Sequence, residues 1–112
     1  DMNVATVSNY LTALGYRLIY AKNGEVAVEL AQTQSPRLIL MDIQMPDMDG
    51  LEAMQLIRSD ARCAHIPIVA LTALAMPGDR ERCLAAGANH YLSKPFKMKA
   101  LKELIQQLLQ PV

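Results

Sequence analysis

Three residues of this chain have types and settings that could do chemistry together: Asp42, Thr72 and Lys94. Asp42 closes the apolar run "LILMD", Thr72 follows "IPIVAL", and Lys94 follows "HYLS" and precedes Pro95. A carboxylate can attack phosphorus as a nucleophile. An ammonium and a hydroxyl can hold the oxygens of a transferred phosphoryl group. A divalent cation would still be needed to offset charge as a phosphate approaches a carboxylate. Singly, each residue has an ordinary explanation. A loop aspartate caps a backbone amide, a threonine suits a strand, and a lysine before proline is a solvated turn residue. The loop after Asp42, "IQMPDMDG", also invites a calcium reading. Setting Asp47, Asp49 and Gly50 at positions 3, 5 and 6 of an EF-hand loop puts Met45 at position 1 and Leu56 at position 12. Neither can ligate as required, so that reading fails.

The elements that must position these residues follow from hydrophobic pattern. Val4, Val7, Leu11 and Leu14 share one helical face, and Gly15 is a stop. "YRLIYA" reads as a short strand, with Asn23-Gly24 as the turn out of it. Val26, Leu30 and Ala31 give a second helix. "PRLILMD" is a strand over about 37 to 42, and its apolar residues do not alternate, as expected when both sheet faces are covered. A third helix begins near Gly50 with Leu51, Met54 and Ile57. "IPIVALTA" is another doubly buried strand. "GDRERCLAAGA" is a helix closed by Gly87, and "HYLSKPF" holds a last strand ending at Pro95. Leu101, Leu104, Ile105 and Leu108 mark the final helix with 3.6-residue periodicity. Strict alternation of helix and strand with short loops predicts an α/β fold, a doubly wound parallel sheet with helices on both faces. Ligands gather at the carboxyl ends of such strands. That rule selects Asp42, Thr72 and Lys94.

Composition excludes several classes. The chain has 112 residues, the size of one domain, with 52% hydrophobic and 20% charged residues. Basic and acidic residues balance at 11 each, so no charge surplus points to nucleic acid or an anionic membrane. No apolar run is long enough to span a bilayer and no signal peptide is seen at the start of the sequence, so the expectation is a cytoplasmic protein. Cys63 and Cys83 match no metal or redox spacing and read as reduced thiols; His65 and His90 read as strand-flanking residues.

In order along the chain, the Asn23-Gly24 turn, "LILMDIQMPDMDG", "IVALTA" and "AAGANHYLSKPF" resemble the receiver domain of two-component response regulators, with its flavodoxin-like, CheY-like fold. The likeness runs over residues 1–112. It implies that Asp42 is the phosphoacceptor, taking a phosphoryl group from a phosphohistidine on a histidine kinase or histidine phosphotransfer protein. It implies that Thr72 is the switch hydroxyl, that Lys94 pairs with the phosphoryl group, and that the Lys94–Pro95 bond is cis, a form far less costly before proline than elsewhere. Tyr91 matches the aromatic switch residue. The cofactor implied is Mg2+, held by Asp42 and the backbone carbonyl of Gln44, whose side chain tunes hydrolysis of the aspartyl phosphate. Pro46 and Gly50 match the loop that shapes the pocket, whereas Asp47 and Asp49 are expected to be solvated or to cap the next helix.

The resemblance also implies a departure. Receivers begin with a strand ending in an acidic pair that helps hold magnesium, and "DMNVATV" matches the loop and helix just after that pair. The expectation is a receiver domain incomplete at its N-terminus, lacking a central strand and part of its metal site. Either an N-terminal piece lies outside the sequence, or a strand is swapped or rearranged. The leading functional expectation is a phosphoacceptor switch of a phosphorelay, not an enzyme beyond weak self-phosphorylation and self-dephosphorylation. The competing one is a pseudo-receiver, an interaction module without phosphoryl chemistry. A flavin binder is disfavoured because no Gly-rich phosphate loop occurs. A homodimer would use the face of the fourth helix, last strand and last helix; no nucleic acid or membrane partner is expected for this domain.

Overall fold

Apolar runs too short for helices and flanked by helical stripes build a three-layer arrangement. The structure, a computed structural model, describes residues 4–16, 23–43, 50–72, 77–93 and 96–109. The elements in order are α1 (Val4–Ala13), α2 (Gly24–Gln34), β1 (Ile39–Asp42), α3 (Gly50–Arg58), β2 (Ile68–Thr72), α4 (Asp79–Ala86), β3 (His90–Ser93) and α5 (Met98–Leu109). The strand expected in "YRLIYA" lies outside the described residues beyond Tyr16. The described strands form one parallel sheet in the order β1-β2-β3. Ile39 to Asp42 stand opposite Ile68 to Leu71, and Val69 to Thr72 opposite His90 to Ser93.

Every residue of β2 is buried. Its alternate side chains feed two separate cores, as a strand covered on both faces must. Ile68 and Ala70 pack with Met41 of β1, Ala31 of α2, Ala53, Met54 and Ile57 of α3, and Cys83 and Ala86 of α4. Val69 and Leu71 pack on the other face with Leu11 of α1, Phe96, and Leu101 and Ile105 of α5. Helices therefore cover both faces, as the pattern predicts. Both thiols are free and buried, in line with the reduced reading; burial pushes each above its usual range.

Two local expectations are corrected. Leu14 does not join the α1 stripe. It follows the last helical residue, in the turn where Gly15 takes φ 95°, and is 41% exposed. Tyr16 reaches the core in its place, its amide bonded to the Leu11 carbonyl at 3.1 Å. Asn23 is more than a turn residue. It is the N-cap of α2, its Oδ1 accepting from the Val26 amide at 2.9 Å, and Gly24 is already helical.

Arg58, the last residue of α3, ties the amino-terminal edge of the sheet. Its Nε donates to the Gly87 carbonyl at 2.9 Å, Nη1 to the carbonyls of Ala64 and Ile66 at 2.7 Å each, and Nη2 to Asn89 Oδ1 at 2.8 Å. Asn89 Oδ1 also accepts from the Ile68 amide at 2.8 Å, and the Asn89 amide donates to the Ile68 carbonyl at 2.8 Å. One guanidinium thus joins the ends of α3 and α4 and the starts of β2 and β3.

Replacing Arg58 by alanine strands several carbonyls at once, and the expected loss is about 2–4 kcal/mol in urea unfolding. Arg58→Lys should recover less than half, because an ammonium lacks the planar fork. Asn23→Ala should cost about 1 kcal/mol and Asn23→Ser only a few tenths.

Candidate functional site at the carboxyl ends of the strands

Parallel pairing carries the chain ends of β1, β2 and β3 to one edge. Asp42 is the last residue of β1, and the ladder runs one bond further, from the Ile43 amide to the Leu71 carbonyl at 2.9 Å. Thr72 is the last residue of β2, 2% exposed, and is paired in register with Ser93 at the end of β3. The structure therefore brings Asp42 and Thr72 to the same edge on adjacent strands, half-buried and buried respectively. Lys94 and Pro95 follow Ser93 directly but lie outside the described residues, as do Gln44, Pro46, Asp47 and Asp49. Phe96, just beyond, is buried among α5 and β2 side chains.

Gly50 fixes the strand end from below. Its amide donates to the Ile43 carbonyl at 3.1 Å. A β-carbon built there would stand 2.6 Å from the Asp42 carbonyl oxygen and 2.8 Å from the Ile43 α-carbon. Both are backbone atoms, so α3 can approach the residue after Asp42 this closely only through a glycine.

Tyr91 lies mid-strand in β3, opposite Ala70, and packs against the α2–α3–α4 side of the sheet. Burial pushes its phenol above the usual range, and the nearby Asp79 carboxylate adds to that. Asp79, 4% exposed in the first turn of α4, was not legible in the sequence. An acid opening a helix is ordinary, and "PGDRER" carries no sign of which acid is buried. Ser93 was not legible either, because the register that sets it opposite Thr72 starts from Val69 against His90 and not from the first residue of each strand.

Among the described residues, no three His, Cys, Asp or Glu side chains converge as a metal site requires. Asp42 offers a carboxylate of the kind Mg2+ takes, and among the described residues no two further His, Cys, Asp or Glu side chains join it. Among the same residues, no helix is long and apolar enough to cross a membrane.

Residues 1–106 match the family model of the response regulator receiver domain. The chain belongs to that family. The polar-differentiation response regulator DivK of Brucella anthropi is 39% identical to this receiver over 109 residues, 97% of this chain and 89% of the relative. The receiver domain of a sensor histidine kinase from Pseudomonas aeruginosa PAO1, described with a magnesium ion coordinated in its active-site cleft, superposes with TM-score 0.86 at 42% identity, covering 93% of this chain and 85% of that one. Chemotaxis protein CheY4 of Vibrio cholerae gives TM-score 0.85 at 31% identity over 94% of this chain and 88% of that one. The fold expected from the sequence, CheY-like and parallel with helices on both faces, is thus the fold of the receiver, and the protein's business is two-component signalling.

Gly50→Ala should lower stability by about 1–3 kcal/mol, the usual cost of overpacking against groups that must shift. Amide resonances of Asp42 and Ile43 should move with it. Changes confined to α3 would show that the helix yields and the strand end does not.

Proposed function

We propose that this receiver is a phosphoacceptor switch in which Asp42 takes a phosphoryl group from a phosphohistidine of a histidine kinase or a histidine phosphotransfer protein. The observation that carries the reading is the shared edge: a carboxylate and a buried hydroxyl end adjacent parallel strands. In the step, an Asp42 carboxylate oxygen attacks phosphorus as the P–N bond to imidazole breaks. The imidazole nitrogen keeps the bonding electron pair, and Asp42 becomes an acyl phosphate. The Thr72 hydroxyl and the Lys94 ammonium hold phosphoryl oxygens, supplying charge stabilisation where the transferring group is most anionic.

Mg2+ is the cofactor of this reading, because the Pseudomonas aeruginosa relative is described with that ion in its cleft. It would offset charge as phosphate and carboxylate meet. Asp42 and the Gln44 carbonyl are its proposed contacts here. The domain turns over its own phosphoryl group only slowly and is not otherwise an enzyme.

Readout falls on the face of α4, β3 and α5. Thr72 leads into the connection to α4, and Tyr91 sits on β3 beside that helix. Arg80, Glu81 and Lys97 on this side are exposed, so a partner or a second copy would meet mixed charge. A switch of this kind needs only a few kcal/mol of difference between states.

Acetyl phosphate with magnesium should add one phosphoryl group, found by mass spectrometry on Asp42. Asp42→Asn should abolish it, and Thr72→Ala should slow it about tenfold. Modification that persists in Asp42→Asn would refute the assignment, and wild-type protein that takes no phosphoryl group would leave a pseudo-receiver.

A further inference from the structure

Asn89 is an exposed residue of the connection from α4 to β3, yet its hydrogen bonds are those of a strand residue. Its amide donates to the Ile68 carbonyl at 2.8 Å, and its Oδ1 accepts from the Ile68 amide at 2.8 Å. Both backbone polar groups of Ile68 are therefore held by one residue. The side-chain oxygen does what a backbone carbonyl does further along a parallel ladder. Counted back from Val69 opposite His90, Ile68 stands opposite Asn89, so this double bond is the first rung between β2 and β3. The same Oδ1 accepts from Arg58 Nη2 at 2.8 Å, and that guanidinium is fixed in turn by the carbonyls of Gly87, Ala64 and Ile66.

The offset of β3 depends on this rung more than on burial. Every residue of β2 is buried, whereas every residue of β3 is only half-buried. A strand specifies its register through its buried face, and a weakly buried strand specifies it weakly. Ala88, the preceding residue, has no side-chain acceptor and cannot take the place of Asn89 opposite Ile68. At the far end of the same strand, Ser93 stands opposite Thr72, and Lys94 is the next residue in the chain. A slip of a single residue moves a strand by about 3.3 Å, far more than a hydrogen bond tolerates. An error of offset at Asn89 is thus delivered in full at the edge where Asp42 and Thr72 end their strands.

We propose that Asn89, held by Arg58, is a positioning residue for phosphoryl transfer: from the edge opposite the site it sets the offset of β3, and with it where Lys94 stands against a phosphoryl group on Asp42. This rests on the receiver reading. Asn89 touches no reacting atom and acts through Lys94. Loss of its Oδ1 takes that acceptor from the Ile68 amide and lets β3 shift along β2.

The test compares wild type, Asn89→Ala and Asn89→Asp in the full-length protein, each alone and combined with Lys94→Ala. It reads the rate of phosphoryl uptake from acetyl phosphate with magnesium, and the backbone amide resonances of Thr72 and Ser93. Asn89→Ala should slow uptake about 10-fold, on the scale of a misplaced group, and should displace both resonances. Asn89→Asp keeps an acceptor oxygen for Ile68 and Arg58 and should bring both readouts close to wild type. Beside Lys94→Ala, Asn89→Ala should cost less than about twofold more, because the residue it acts through is gone. Damage to the fold would slow uptake equally in both backgrounds. An undiminished effect beside Lys94→Ala, or unmoved resonances, overturns the proposal. Where Lys94→Ala leaves no uptake to follow, the resonances and the rescue of rate by Asn89→Asp decide. If Asn89→Ala does not fold, Asn89→Gln, which carries its oxygen a methylene too far, takes its place. If wild type takes up no phosphoryl group, the receiver reading fails and the resonances alone judge the offset of β3. Displacement in Asn89→Ala with return in Asn89→Asp then supports the clamp, and no displacement overturns it.

Discussion

The double burial of β2 is the constraint on which the rest of the molecule depends. A strand with no wet face has one acceptable register against each neighbour. Slipping β1 by one residue would turn Met41 out of one core and force Leu40 into it. Because both pairings are parallel, that fixed register also decides which residues end the strands together. Asp42 and Thr72 share an edge as a by-product of where Ile68 to Leu71 must sit. That edge is held in place by the apolar residues of the two cores.

What could be read from sequence was what local pattern determines. The unbroken runs "LILM" and "IPIVAL" announce strands covered on both faces, and the α5 stripe announces which face of the last helix is apolar. Element bounds were less legible. Pairing in β1 starts at Ile39 and not at Arg37, because the ladder begins where the Ile39 amide meets the Pro67 carbonyl. Leu14 misled for a related reason: its spacing fits the helix, but the turn at Gly15 takes it off the helical path. At the site, the strand-end rule selects Asp42, Thr72 and Lys94; the first two end adjacent strands, and Lys94 lies outside the described residues.

Arg58 and Asp79 were invisible because their meaning comes from partners remote in sequence or from burial. Arg58 looks like the customary cation at a helix end. Only the fold brings it to Gly87, 29 residues on, and to Asn89, 31 residues on. The sheet is consequently unlike at its two ends. Its amino-terminal edge is knotted by neutral carbonyls around a single cation, an arrangement with no alternative partners. Its carboxyl-terminal edge ends instead in the Asp42 carboxylate and the Thr72 hydroxyl.

The bond from Gly50 to Ile43 has a consequence for how such a sequence can vary. It pins the two ends of the segment 44–49 to each other, independently of the side chains within the segment. Closing a loop costs entropy that grows only slowly with its length. A substitution inside the segment therefore need not drag the strand end along, whereas one at Gly50 would, because a β-carbon there meets the Asp42 carbonyl oxygen.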